Sequence, residues 1–341
     1  MRRASLPLAA LLFGSLVLVG CSGEDPEASP ATVVTTHLDG TVEEVEVPEE
    51  PQTWPLTGLE VGGNGSAEAR HPVLVTKMDN TPSSSPQVGL GQADLVVEEL
   101  VEGGVTRLAV FYYSDVPGEV GPVRSMRASD IGIVTPVGAS VVTSGAAPLT
   151  LERVSGAGIE FFGEGAKGVY RDTARVAPYN LFADLGEVSS VIEQKLVRPD
   201  DYLTWGAAAD LPKGVKATKL AASFGNHTTN WEFRDGTYVN VNSFAGQGDQ
   251  FPTETVLVLR VQVGDAGYRD PAGYPVPETK FVGKGAAMLF HDGRLVRGTW
   301  TKKGLTSPVH LATKDGKLAV PAGHTWIELV PAADGDVTFD D

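Results

Sequence analysis

Residues 121–127 read GPVRSMR: a glycine and a proline that set a turn, then Arg124 and Arg127 flanking Ser125 and Met126. Arginine suits planar, bidentate contact with phosphate or carboxylate. Other charged residues fall at what read as strand ends and turns. Asp79 follows the run VLVTKM, Glu98 lies within ADLVVEEL, Glu102 precedes two glycines, Arg107 enters VTRLAVFYYS and Arg171 opens RDTAR. The expectation is an anion site faced by Arg107, Arg124, Arg127 and Arg171. Ser125 would stand at a turn-to-helix junction, where the free backbone N–H groups of a helix start add to the field. Asp79, Glu98 and Glu102 would orient the arginines or support a divalent ion. The competing expectation is that these charges are structural ion pairs stitching loops together.

Other chemistries find less support. A serine nucleophile at Ser125 needs a base, and none of the six histidines (His37, His71, His227, His291, His310, His324) lies in these segments. Their scatter has no metal-ligand spacing. There is no P-loop, G-x-S-x-G or dinucleotide fingerprint. No metal or cofactor site is expected on these grounds.

The elements that must position the charges follow from periodicity. HPVLVTKM, ADLVVEEL, VTRLAVFYYS and GASVVTSG read as strands. APLTLERVSGAG reads as a helix, and NLFADLGEVSSVIEQKL as a second helix that ends before Pro199. A short helix fits between Arg127 and Thr135. Residues 55–210 are therefore expected to form an α/β sandwich-type domain with a mixed sheet. Residues 211–331 read as a smaller, mostly antiparallel β domain. Two of their strand pairs carry Asp-Gly turns, at Asp235-Gly236 and Asp292-Gly293. The fold class expected is α+β. Trp300, Trp326 and Phe290 read as core of the second region, with a lesser chance that Trp300 and Asn242-Ser243-Phe244 border a groove.

The N-terminus addresses the chain to an envelope. Arg2 and Arg3 precede an apolar run from Leu6 to Val19, the length of a signal-peptide core and short for a membrane span. Residues 1–20 are read as that signal. The run ends in Leu18-Val19-Gly20-Cys21, which resembles the bacterial lipobox. The resemblance implies lipid attachment at Cys21, the only cysteine of the chain. Two or three acyl chains make a stable anchor. Residues 21–54 would then be an acidic tether, since Ser22 to Glu50 hold nine acids and no lysine or arginine. Asp39-Gly40 within TVVTTHLDGTVEEVEV allows a small hairpin in it. Residues 332–341 form an acidic tail. Net charge is −16, and no basic stripe is present, so nucleic acid is not expected as a partner.

Several motifs occur in a telling order: PLTGLEV (55–61), TKMDN (76–80), PQVGLGQADLVVEELVEGGVTRL (86–108), GPVRSMR, YRDTARVAPYNLF (170–182), GRLVRGTW (293–300) and AGHTWIELVP (322–331). Together they resemble the YerB-type bacterial lipoproteins, a family with two regions and no assigned activity. The resemblance spans Pro55 to Pro331 and implies location and architecture. One departure is Tyr179, where the family often has histidine.

Two functions are carried forward. The first is a binding or scaffold lipoprotein on the extracytoplasmic face of the cell membrane, holding an anionic envelope component or a partner protein. The second is an envelope phosphotransferase or phosphohydrolase acting on a polyprenyl-linked phosphate. Its layout is similar to that of the LytR-type phosphotransferases, and a divalent cation would enter only there.

Overall fold

The computed structural model describes residues 32–36, 42–46, 52–62, 71–194, 197–270 and 273–340. Cys21 and the expected signal segment lie outside these residues. Thr32–Thr36 and Val42–Glu46 pair antiparallel, Thr36 opposite Val42; Asp39-Gly40, which suggested a hairpin, lies outside the described residues.

Residues 51–341 form a separate compact unit. It is α+β, built on one large mixed sheet with a second, antiparallel sheet beside it. The long path of the large sheet runs Gly316–Leu318, His310–Thr313, Arg294–Lys302, Gly283–His291, Thr255–Arg269, Thr325–Pro331, Leu95–Leu100, Thr106–Tyr112, Leu74–Asn80, Ser140–Val142, Phe161–Phe162. The late strand Thr325–Pro331 lies parallel between Thr255–Arg269 and Leu95–Leu100, with Glu328 in register with Glu98. The two regions expected from the sequence thus meet within a single sheet. Sheet continuity across such a seam is invisible to periodicity, which reports faces and not neighbours.

The second sheet has the order Thr237–Asn240, Thr228–Arg234, Lys219–Ser223, Asp336–Phe339. Part of the acidic tail is therefore a strand. Both Asp-Gly pairs make tight hairpin turns with positive φ: Asp235 and Gly236 at 50° and 89°, Asp292 and Gly293 at 48° and 64°. These values suit the right-handed twist of the flanking strands.

Strand alternation divides the core in two. Val75, Leu95, Val97, Ala109, Phe111, Leu257 and Ile327 face one way, toward Ile131, Val154 and Tyr202. Leu74, Val96, Leu108, Val110, Val256 and Trp326 face the other, toward Trp231, Tyr238 and the second sheet. Trp300, Trp326 and Phe290 are core residues, at 1%, 2% and 0% exposure.

The helices are few. Asp130–Val134 and Pro148–Gly156 lie where short helices were expected. The long helix expected over 180–196 is instead a strand, Leu181–Ala183, followed by a five-residue helix, Leu185–Ser189. Leu181–Ala183 pairs with Val169–Arg171, and the extended Asp184 caps the helix by accepting from the Glu187 N–H. A good N-cap in the middle of an apolar run starts a helix there and ends the strand before it.

Candidate functional site

GPVRSMR is held on three sides. Arg124 N–H donates to the Lys77 carbonyl (2.7 Å), Val123 N–H to Leu181 (2.7 Å) and Met126 N–H to Gly145 (2.9 Å). At Gly121, with φ +154°, a Cβ would stand 2.7 Å from the Phe182 ring, so only glycine lets the chain pass. The segment crosses the end of the Leu74–Asn80 strand, beside the loop that leaves Ser140–Val142.

Three arginines gather there. Arg127 makes a forked contact with Glu102, Nε to Oε2 at 2.8 Å and Nη2 to Oε1 at 2.6 Å, and donates through Nη1 to the Met126 carbonyl at 2.6 Å. Arg124 places Nε 3.0 Å from Asp79 Oδ2 and lies over the Tyr179 ring at 5.0 Å. Tyr179, the position that departs from the family pattern, is thus in contact with the cluster. Arg107 is the exception. It is 9% exposed, donates through Nη1 to the Ser125 carbonyl at 2.9 Å, and its buried Nε has no partner among the described residues. No carboxylate forms a salt bridge with it among those residues. Burial, then the charge of Arg127, pulls its guanidinium down to about 10.

Ser125 turns its carbonyl toward Arg107 and its hydroxyl to Ser144 Oγ at 3.1 Å. A cleft of about 460 Å³ opens beside it, lined by Ser125, Arg127, Glu102, Arg269, Asp270 and the Ala147-Pro148 start of the Pro148–Gly156 helix. This is not the helix anticipated next to Ser125. The Asp130–Val134 helix begins with Asp130 accepting from the Arg127 N–H at 2.7 Å, so its start is already occupied.

Two expected members stand elsewhere. Arg171 is forked onto Glu164 (2.7 and 2.6 Å) and bonded to Asn180, with no contact to the three arginines among the described residues. Glu98 leaves the arginine face altogether. On the strand Leu95–Leu100, Glu99 shares a face with Arg107 while Glu98 points through to the other core, as period-two alternation requires.

On that far face Glu98 is fully buried and is the hub of a polar cluster. Its Oε1 accepts from Thr106 Oγ1 (2.6 Å), Asn80 Nδ2 (3.0 Å) and Thr229 Oγ1 (3.0 Å), and lies 3.3 Å from His227 Nε2. Its Oε2 accepts from Trp326 Nε1 at 3.2 Å. Burial pushes Glu98 up, but the His227 contacts and the Thr106 hydroxyl outweigh it and hold the carboxyl below its ordinary range. Glu328, its register neighbour, is pushed well above the usual range by burial and then by the Glu98 charge. Protonation would turn Glu328 from an acceptor into a donor beside Glu98. As a carboxylate its Oε2 would have none to accept from, and its Oε1 already takes Trp231 Nε1 at 2.9 Å. For His227, burial lowers the pKa but the Glu98 hydrogen bond and charge more than reverse this and raise it.

A third cluster lies on the arginine face. Lys77, wholly buried, sits 2.8 Å from Glu99 and 2.7 Å from Asp130, and Ser129 donates to Glu99. Burial raises Asp130 to about 6 despite Lys77. Sequence reasoning passed over Lys77, Glu99, His227 and Glu328 as site residues. Three of them left a signal, a lone or doubled charge inside an apolar strand run (VLVTKM, LVVEEL, TWIELVP). His227 left none. Among the described residues no group of three or more His, Cys, Asp or Glu could hold a metal ion.

Comparison with known proteins agrees with this architecture. YerB of Bacillus subtilis (strain 168), which its name classes as a candidate lipoprotein, is 27% identical over 348 residues, covering 96% of each chain. The crystal structure of the YerB protein from Bacillus subtilis superposes with a TM-score of 0.69 at 20% identity, over 84% of this chain and 99% of that one, which establishes a common fold. Residues 56–198 match the N-terminal domain, and residues 218–327 the C-terminal domain, described as protein of unknown function DUF3048. The two matches span most of the compact unit, and the chain belongs to the DUF3048 family.

Proposed function

We propose that this chain is a lipid-anchored extracytoplasmic binding protein that holds an anionic group of an envelope component or partner protein at GPVRSMR. The anchor reading rests on the lipobox-like end of the N-terminal apolar run and on the lipoprotein name of its relative. Among the described residues no helix is long and apolar enough to cross a membrane.

The observation that carries the binding reading is Arg107. A buried guanidinium with no ion pair of its own is costly: burial, then the charge of Arg127, pulls it down to about 10, and the charges of Glu102 and Asp79 only partly offset this. Strongly perturbed groups cluster at functional sites, and we read Arg107 as one of them. Arg124 and Arg127 are steadied by Asp79 and Glu102, so three guanidiniums face two carboxylates and one positive charge is left over. The adjoining cleft, which Arg127 lines and Arg107 does not, adds Arg269 with Asp270 beside it and a helix start whose cap residue, Ala147, offers no side-chain acceptor. Backbone N–H groups at such a start favour an anion.

The test is native mass spectrometry of the full chain in a neutral detergent, with R107Q alongside. A phosphate- or carboxylate-bearing mass retained by the wild type and absent from R107Q is expected. Equal apo masses for both would turn the arginines into structural ties. Turnover of a polyprenyl phosphate by the retained complex would move the site to the phosphotransferase reading.

A further inference from the structure

The motif PLTGLEV plays no part in the arginine site. It forms one wall of another cleft, of about 780 Å³, with residues 200–207 and 308–322 supplying the others. These walls are braced against each other. Trp205–Gly206 pairs with Val320–Pro321, Tyr202 N–H donates to the Pro55 carbonyl at 3.0 Å, and Gly323 N–H to Thr57 at 2.8 Å. Trp205 lines the cleft. Its Nε1 donates to Pro55 at 3.1 Å, and the turn at Gly58 (φ +67°) presses on the indole so closely that a Cβ there would stand 2.5 Å from Cγ. Glycine at 58 is thus required twice over, by backbone conformation and by the approach to Trp205.

The charge in this cleft has one sign. Glu60, Asp200 and Asp201 line it together with His310, and no lysine, arginine, asparagine or glutamine does so among the described residues. Asp201 is paired with Arg198 at 2.6 Å, while Glu60 and Asp200 have no ion pair among those residues. Beside them lie Trp205 and Leu59, the latter 39% exposed. Carboxylates only accept, and their complement is a group that only donates: an ammonium has three donors and no acceptor. An indole face attracts the same group through its quadrupole, and an apolar wall takes an aliphatic stem.

We propose that this cleft binds an ammonium or guanidinium group carried on an aliphatic stem, either a free alkylamine or a lysine or arginine side chain of a polypeptide. Charge complementarity carries the assignment, and it is independent of the anion site.

The test uses the full chain in a polyoxyethylene detergent, labelled with 5-fluorotryptophan, with the Trp205 resonance assigned by W205F. The probes are n-butylamine, pentalysine, 1-butanol and methyl glucoside. A saturable shift of the Trp205 signal with n-butylamine or pentalysine is expected, with 1-butanol and the glucoside inert. E60Q/D200N, two exposed changes that leave the fold intact, should weaken it by about tenfold, and added salt should weaken it further. Pentalysine at least tenfold tighter than butylamine would identify the source as a polypeptide, and equal affinities a free amine. A Trp205 signal unmoved by both amines, moved equally by 1-butanol or the glucoside, or insensitive to E60Q/D200N, would overturn the proposal.

Discussion

Glu98 and Glu99 are neighbours on one strand, as are Thr106 and Arg107 on the next, yet each pair is split between opposite faces of the sheet. On the Glu98 face the carboxylate is well answered: His227 is the counter-ion, two indoles, two hydroxyls and an amide donate to it and its neighbour, and Glu328 beside it is pushed well above its usual range by burial and then by the Glu98 charge. On the Arg107 face two arginines are answered by carboxylates and one is not. A saturated buried network ties parts of a fold together. An unsaturated one leaves free energy for something from outside. The Glu98 cluster joins strands of the first region to Thr229, Trp231 and Trp326 of the second, and is structural on this view. The Arg107 cluster is the one built to bind.

The largest expected effect is at the saturated face. E98A should destabilise the chain by about 4 kcal/mol, because it strands His227 and several buried donors at once. Urea denaturation measures it, and a loss under about 1 kcal/mol would mean the cluster is not a tie. R127M comes next, at about 2 kcal/mol in the same assay, since it leaves Glu102 half-covered without its forked partner.

The pH dependence is smaller and has a definite sign. The folded-state pKa of His227 is raised, so its contribution is complete below the unfolded value near 6.5 and is lost as pH rises through the folded value. Glu328, also raised, acts in the same direction. Glu98 is lowered, so its share is present above the unfolded value near 4.5 and is lost as pH falls through the folded value. His227 and Glu328 thus lower the denaturation midpoint from about pH 6 to pH 9, while Lys302, lowered to about 8 by burial, and His291, also lowered by burial, act the other way, and H227Q should remove part of the decline. An H227Q midpoint that falls as steeply as the wild type's over this interval would contradict the His227 contribution. Smallest of all is R171A, which removes an exposed pair with Glu164. Its midpoint should match the wild type, and a clear loss would place Arg171 back among the structural or binding arginines.

Much of this was legible before the fold. Period-two runs located the strands, and the two Asp-Gly turns fell where the backbone takes positive φ. Arg107, Arg124 and Arg127 were singled out by residue type and do come together. What alternation also encodes, that Glu98 must face away from Arg107, follows once the register is known, and register is set by partners distant in the chain. Glu328 lies 230 residues from Glu98 and becomes its neighbour only because Thr325–Pro331 inserts beside Leu95–Leu100. No local pattern announces such a pairing. The expected helix over 180–196 failed for a local reason, the Asp184 cap, which apolar spacing outvoted.

The measurement that bears most directly on the contrast between the faces is the stability of R107M with and without inorganic phosphate. In phosphate-free buffer R107M should be as stable as the wild type or more so, because the substitution removes an unpaired buried charge. Phosphate should raise the midpoint of the wild type and leave R107M unmoved. A marked loss of stability in R107M, together with no response of the wild type to phosphate, would contradict the account and make Arg107 as structural as Glu98.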